Sequence, residues 1–395
     1  MGGFRRYLGA ALAARFASEG MGMAVVLLAL ERTGSAAYGA FVLTAWLAPH
    51  VLAAPLAGAA AARTRRPRLF HVSTLAGFTA AVAALAVLLG RAPVPLVIAV
   101  AVCGGTCGPM VTGGLSSLVT GLVPAGARRD RAYGWDASTY NAAAVTAPAA
   151  VSLVTALGSA GPAMGVLAVS GALAAALAAT LPYGEPGAGP RQDGARAGLG
   201  AGLAALWRIR ELRAVTSATT LAFVGIGSLT TTSVLLAAGL GSPGAGGVLM
   251  TAFAVGALAG SLTLGRMTAP GPGRLVRWAL AGTGVALAAA AFAPSVTVTA
   301  ALFAVAGVCD GPLLTATLRI RSEYAPDAVR TQVFTLGAGL KLTAASAGAA
   351  LVGFAAEAPA WMLLTGIAGL QLAAALLHVL VGTARDPEPS LVTAG

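Results

Sequence analysis

Charge is what this chain lacks most. Only 10% of its 395 residues are Asp, Glu, Lys or Arg, against about 25% in an ordinary soluble domain. Apolar residues make up 57%, and mean hydropathy is +0.83. A water-soluble fold of this length could not cover its surface with so few polar side chains. That excludes a cytosolic enzyme, a nucleic-acid-binding domain and a disordered chain. Cysteine is also scarce. Cys103, Cys107 and Cys309 are too few for a disulfide framework. The first two sit four apart in an apolar run and read as small buried packing residues. No Gly-x4-Gly-Lys-Ser/Thr stretch occurs, which argues against direct ATP coupling. No set of His, Cys and carboxylates has metal-ligand spacing. No nucleophile–base constellation is visible either, so neither an enzyme nor a cofactor is expected.

What is present is a series of apolar runs near twenty residues long, each able to cross a bilayer as a helix. Twelve are expected, at about 8–30, 37–60, 69–90, 95–122, 136–157, 160–181, 213–237, 244–267, 275–294, 296–319, 331–355 and 359–382. The fold class is therefore an all-α membrane protein. Net charge is +12, and its distribution gives orientation. Arginines crowd the connections after spans 2, 4, 6, 8 and 10, as in Arg63-Thr64-Arg65-Arg66 and Arg128-Arg129-Asp130-Arg131. The intervening connections carry almost no charge. Excess arginine marks the cytoplasmic side, so both termini are expected there, in the cytoplasmic membrane of a bacterium.

The chain also divides in two. Gly108-Pro109 in span 4 has a counterpart in Gly311-Pro312 in span 10, 203 residues later. The loops that follow, Val123-Pro124-Ala125 and Ala325-Pro326-Asp327, are displaced by 202, as are Cys107 and Cys309. Similarity at half the chain length implies two pseudo-symmetric six-helix bundles with a site between them at the midplane, a transporter architecture. The expected division is 1–181, a cytoplasmic linker over 182–212 and a second bundle over 213–395. The linker opens with turn formers and ends in Trp207-Arg208-Ile209-Arg210, which reads as a short surface helix.

The sequence resembles the major facilitator superfamily over essentially its whole length, and within it actinobacterial drug and metabolite exporters. The family's loop between helices 2 and 3 reads Gly-x-x-x-Asp-Arg-x-Gly-Arg-Arg/Lys. Here Gly58, Arg63 and Arg66 match, while Ala62 replaces the acid and Arg65 the second glycine. The resemblance implies a cytoplasmic gate at this loop, without its usual salt-bridge acid. The exporter pattern of helix 5, Gly-x8-Gly-x3-Gly-Pro-x2-Gly-Gly, is matched by Gly134 and Pro148, with Ala143, Ala147, Val151 and Ser152 at the other positions. Small residues let helices approach closely, and a proline bends the helix where two halves rock. The arginine that proton-linked exporters of this kind carry in helix 4 is absent from Val102–Met110.

Five ionisable residues stand out inside the spans, away from their ends: Arg15 and Glu19, four apart in span 1; His50 in span 2; Asp310 in span 10; and Lys341 in span 11. A charge at the centre of a membrane helix costs about 2.5–3.5 kcal/mol on insertion scales. Such groups must pair or line a wet cavity. Arg15 can pair with Glu19 one turn away, and Asp310 and Lys341 are expected to face the bundle interior. Two readings stay open, a proton-titratable carboxylate in a central cavity or structural ion pairs that hold helices in register. His50 is either a proton relay or a packed histidine. Trp46, Tyr140, Asn141, Gln332 and Phe334 are candidates to touch substrate, with packing as the competing role. The loop Arg128–Arg131 with Asp136 reads as a solvated cytoplasmic face, with Asp136 close enough to the start of span 5 to pair with one of those arginines.

These readings lead to a monomeric secondary active transporter that needs no cofactor. Proton-driven export of a small organic compound by alternating access is the leading expectation. Uptake or uniport of a metabolite is the alternative within transport, and a non-transporting sensor or assembly protein the alternative outside it.

Overall fold

The structure, a computed structural model, describes residues 2–183, 200–242, 245–266, 271–355 and 358–383. Among the described residues there is helix and no strand. A lipid-embedded backbone must satisfy its own hydrogen bonds, which favours helices. Each expected span is occupied by a helical rod. They are α1 (Gly2–Thr33), α2 (Ala36–Leu47 continuing as Pro49–Arg63), α3 (Pro67–Leu88), α4 (Val94–Thr106 continuing to Leu122), α5 (Ala127–Leu157) and α6 (Ala160–Ala179). The second set is α7 (Arg210–Gly239), α8 (Gly246–Arg266), α9 (Pro272–Ala291), α10 (Val296–Tyr324), α11 (Arg330–Phe354) and α12 (Ala360–Thr383). Ten of these rods are long and apolar enough to cross a membrane. The other two, α5 and α9, begin with the charged residues Arg128–Arg131 and Arg274 with Arg277.

Several rods outrun their expected spans. α1 starts at Gly2, α5 at Ala127 and α10 ends at Tyr324. Hydropathy marks only the apolar part of a helix. Its polar end turns stay helical when they pack on neighbours or when Asp130 sits in the first turn, where a carboxylate favours the helix dipole. Pro67 and Pro272 open α3 and α9 at their first turns, where the missing N–H costs nothing.

The two sets pack by one scheme. α1 lies against α5 and α6, α2 against α4, and α3 against α6. Likewise α7 lies against α11 and α12, α8 against α10, and α9 against α12. Across the middle, α2 meets α11 as α8 meets α5, and α4 meets α11 as α10 meets α5. One buried apolar cluster fills the first set, reached from the second by Leu318, Phe334 and the partly buried Leu314. Two clusters fill the second set. The outer face is a belt of exposed side chains such as Phe41, Leu157 and Trp278, as lipid contact requires.

Of the expected linker, 184–199 lies outside the described residues, as do Glu357 and the tail beyond 383. The expected surface helix is present as Ala201–Arg208, with Leu206 buried and Trp207 exposed. The expectation that Cys103 is buried fails. It is exposed on the outer face of α4, and Cys107 is half-buried.

Candidate functional site

A cavity of about 480 Å³ lies where the two sets of helices meet. α1, α2, α4 and α5 supply one wall, α7, α10 and α11 the other. Seven of the ten expected cavity or contact residues line it: Glu19, Trp46, His50, Tyr140, Asn141, Phe334 and Lys341.

The aromatic wall depends on glycine. In α4, a Cβ on Gly104 would fall 2.2 Å from the Trp46 ring and one on Gly105 2.0 Å from the Trp46 carbonyl. At Gly108 it would fall 1.8 Å from His50 Nε2. This glycine face lets α2 seat Trp46 and His50 against α4, with Trp46 edge-on to Phe78 at 5.2 Å. Pro109 then interrupts α4, since it offers no N–H to the turn before it. The helix resumes through a π turn at Met110–Gly114, a feature common at functional sites. Thr112 and Pro109 line the cavity there. Its repeat counterpart behaves differently. α10 runs unbroken through Gly311-Pro312, and Gly307 and Gly311 pack directly on the α8 backbone at Phe253 and Ala257.

The charges regroup relative to the sequence reading. Arg15 does not pair with Glu19. It turns away from the cavity and forms a buried ion pair with Asp136 at 2.8 Å. Its guanidinium also donates to the Asp136 carbonyl at 2.8 Å, to Ser116 Oγ at 2.9 Å and to Thr139 Oγ1, and lies 3.5 Å from the Tyr140 ring centroid. Asp136 in turn accepts from Tyr7 at 2.5 Å and Ser116 at 2.7 Å. Asp136 is fully buried, so it is not part of a solvated cytoplasmic face, and its ion-pair partner is Arg15 and not one of the loop arginines. The reason is reach: a salt bridge to a helix across the bundle satisfies both ions, whereas Glu19 one turn along α1 points into the cavity. Glu19 is open to that space and makes no ion pair among the described residues.

Lys341 lines the cavity, is 8% exposed, and holds its Nζ 4.6 Å from the Phe223 ring centroid. Asp310 does not line the cavity and forms no ion pair with Lys341 among the described residues. It lies behind, half-buried, with Oδ1 unpartnered. Gln332 is likewise withdrawn from the cavity. Its Oε1 accepts from the Gly202 N–H at 2.8 Å and ties the surface helix to α11. Asn141 lines the cavity but spends its amide on the Ala257 carbonyl and Ser261 of α8, at 3.2 and 3.1 Å.

Sequence reasoning missed Arg321, which it placed in the basic loop after span 10. Because α10 continues to Tyr324, Arg321 is inside the helix, 2% exposed and part of the cavity lining. A Cβ on Gly337 would fall 2.1 Å from its Nη2, so that glycine makes room for the guanidinium. The only available signal was the distance to the next helix breaker, Pro326.

The cavity is closed toward the arginine-rich end. There Arg319 of α10 meets Asp130 of α5 at 2.8 Å, Ser117 lies 3.4 Å from Thr331, and Gly58 of α2 sits tight on α11, where a Cβ would be 2.6 Å from the Gln332 Cα. Gly113 abuts the Phe334 carbonyl in the same way. Arg63 ends α2 and Arg66 precedes α3, both exposed at this end. In α5, Gly134 accepts from Ser138 at 2.8 Å, and Pro148 lies within the continuous helix.

A family model described as Major Facilitator Superfamily matches residues 7–235. No curated protein sequence matches the chain. Among solved structures, a bacterial homologue of the iron transporter ferroportin, in an outward-facing state, superposes with a TM-score of 0.74 at 16% identity, over 96% of this chain and 98% of that one. The human organic anion transporter MFSD10 gives 0.73 at 18% identity over 95% and 99%. The E. coli fucose:proton symporter gives 0.70 at 13% identity over 95% and 98%.

Proposed function

This chain belongs to the major facilitator superfamily, and from that premise we propose that it is a proton-coupled secondary active transporter of a small organic compound, working by alternating access. The observation that carries this reading is Glu19. It is a carboxylate on the wall of a cavity between two helix sets, with no ion pair to fix its charge. A group so placed can take a proton from one side and release it to the other as the halves rock. Asp310, behind Lys341, is the second carboxylate of the pathway. The arginine-rich end and both termini face the cytoplasm, in a bacterial cytoplasmic membrane, and the two halves divide near 182–212. The chain acts as a monomer.

Export by proton antiport is the direction that the exporter-like pattern of α5, with Gly134 and Pro148, supports. Uptake is a second reading, favoured by Arg321 and Lys341 lining the same cavity as Glu19 and by the absence of an arginine in α4. Proteoliposomes holding pyranine, challenged with a panel of small organic acids, amines and neutral compounds under an imposed pH gradient, test both. Solute-dependent proton movement is expected, its sign giving the direction. Glu19→Gln should abolish it, and Asp310→Asn should reduce it. Proton movement unchanged in both variants defeats the coupling assignment, and no solute-dependent flux above empty liposomes defeats transport.

A further inference from the structure

Arg15 and Arg321, the two most deeply buried arginines among the described residues, are held differently. Both terminal nitrogens of Arg15 are bonded, to Asp136, Ser116 and Thr139. Arg321 is equally buried, yet neither its Nε nor its Nη2 has a hydrogen-bond partner. It lines the cavity, in space that Gly337 leaves open. Lys341 lines the same cavity from α11, about one-twelfth exposed, beside an aromatic face and with no ion pair among the described residues. Two buried basic side chains in one cavity lining are an unmet demand for an anion. The rest of the lining is largely apolar and aromatic, with Trp46, Phe334 and Tyr140 among it, besides the polar Ser18, Glu19, His50, Thr112 and Asn141.

We propose that this cavity takes a small organic carboxylate, its headgroup held between Arg321 and Lys341 and its apolar body lying among Trp46, Tyr140 and Phe334. The volume, about 480 Å³, is that of a small-molecule site. An arginine fork matches a carboxylate in two parallel hydrogen bonds, and the lysine adds a point charge. The inference rests on the transport reading and, within it, favours the second reading, in which proton and substrate move together, over antiport. The other titratable groups of the same lining are His50 on α2, Tyr140 on α5, Arg321 on α10 and Lys341 on α11, with Arg15 one turn before Glu19 on α1. Glu19 is the one acidic side chain of the lining. Its protonation removes the charge that repels the substrate, so proton and carboxylate favour each other's binding and by linkage travel the same way.

The test is calorimetric titration of the full chain in lipid nanodiscs with three probes of one shape: 2-naphthoate, neutral 2-naphthamide and cationic 2-naphthylmethylammonium. Naphthoate is expected to bind about tenfold or more tightly than the other two, the size of a charge-assisted hydrogen bond. Arg321→Gln and Lys341→Gln should each weaken naphthoate by about tenfold and leave the amide unchanged. Arg321→Lys keeps the charge and should keep the preference, which guards against a misfolded variant. Gly337→Ala, which crowds the guanidinium, should weaken naphthoate alone. Tightest binding of the ammonium, naphthoate affinity that survives both glutamine variants, or no naphthoate binding overturns the proposal. Naphthoate binding with no flux in proteoliposomes leaves the anion site standing and defeats the transport reading. Flux of the ammonium without naphthoate binding does the reverse.

Discussion

Asp136 shows how a single buried charge organises one half of the molecule. It neutralises Arg15 and accepts from Tyr7 and Ser116, so α1, α4 and α5 are joined at one carboxylate. Removing one partner of a buried ion pair costs about 3–5 kcal/mol, because the other charge is left unpaired. Asp136→Asn should therefore lower the thermal unfolding temperature in detergent sharply. Tyr7→Phe removes one charge-assisted hydrogen bond, about 1.5–3 kcal/mol, and should lower it less. Equal effects, or none, in the two variants would contradict this assignment. Arg15 was legible in the sequence as a charge within an apolar run. Its partner was not, since Asp136 is 121 residues away and stands next to four charged loop residues that local reasoning prefers. Arg321 was hidden for a related reason. An arginine followed within a few residues by Glu323, Tyr324 and Pro326 reads as a loop, and only tertiary packing carries α10 past it.

At the scale of the element, glycine is what the apolar runs could not explain by hydropathy. The sequence locates α4 and its Gly-Pro step, but the use of its glycines appears only when α2 is set against it. Gly104 faces the Trp46 ring, whereas Gly105 faces the Trp46 backbone. The difference gives a paired prediction. Overpacking a fitted contact costs about 1–3 kcal/mol. Gly104→Ala should lower thermal stability, and adding Trp46→Leu should recover part of the loss, since a smaller side chain yields the space. Gly105→Ala should lower stability as well, and Trp46→Leu should not rescue it, because backbone cannot withdraw. Rescue of both alike would mean that α2 and α4 slide relative to each other instead of packing at fixed register. The same logic distinguishes α10, whose Gly307 and Gly311 both meet backbone, from α4, where Gly104 and Gly108 admit side chains and Gly105 meets backbone. The repeat that relates these helices in sequence therefore hides a functional difference. The half that breaks at Pro109 lines the cavity with Thr112 and Gly113, and the half that does not break supplies Arg321 from a straight helix.

For the whole molecule, the packing scheme repeats from one set of helices to the other, so the fold was the most legible level. It follows from twelve apolar runs, alternating arginine and a displacement of half the chain. The closure of one end was less so. The family's loop acid is missing at Ala62, which suggested that the end lacked a latch. The structure supplies another, Asp130 with Arg319, joining α5 to α10 at 2.8 Å. The named hydrogen bonds across the halves, through Ser117, Ser138 and Asn141, all lie between the midplane and this same end. An ion pair of which Asp130 is 39% exposed contributes only about 0.2–1 kcal/mol. That is small for stability, yet 1 kcal/mol shifts a balanced two-state population about fivefold. Asp130→Asn should therefore leave folding intact and populate a form opened at the arginine-rich end. Spin labels placed at Arg65→Cys and Glu323→Cys, after Cys103, Cys107 and Cys309 are replaced by serine, would report it as a longer distance in double electron–electron resonance. The reversed pair, Asp130→Arg with Arg319→Asp, should return the distribution toward the closed form. A distribution that does not change in Asp130→Asn would show that the small-residue contact of Gly58 on Gln332 and Thr335 closes this end without help from charge.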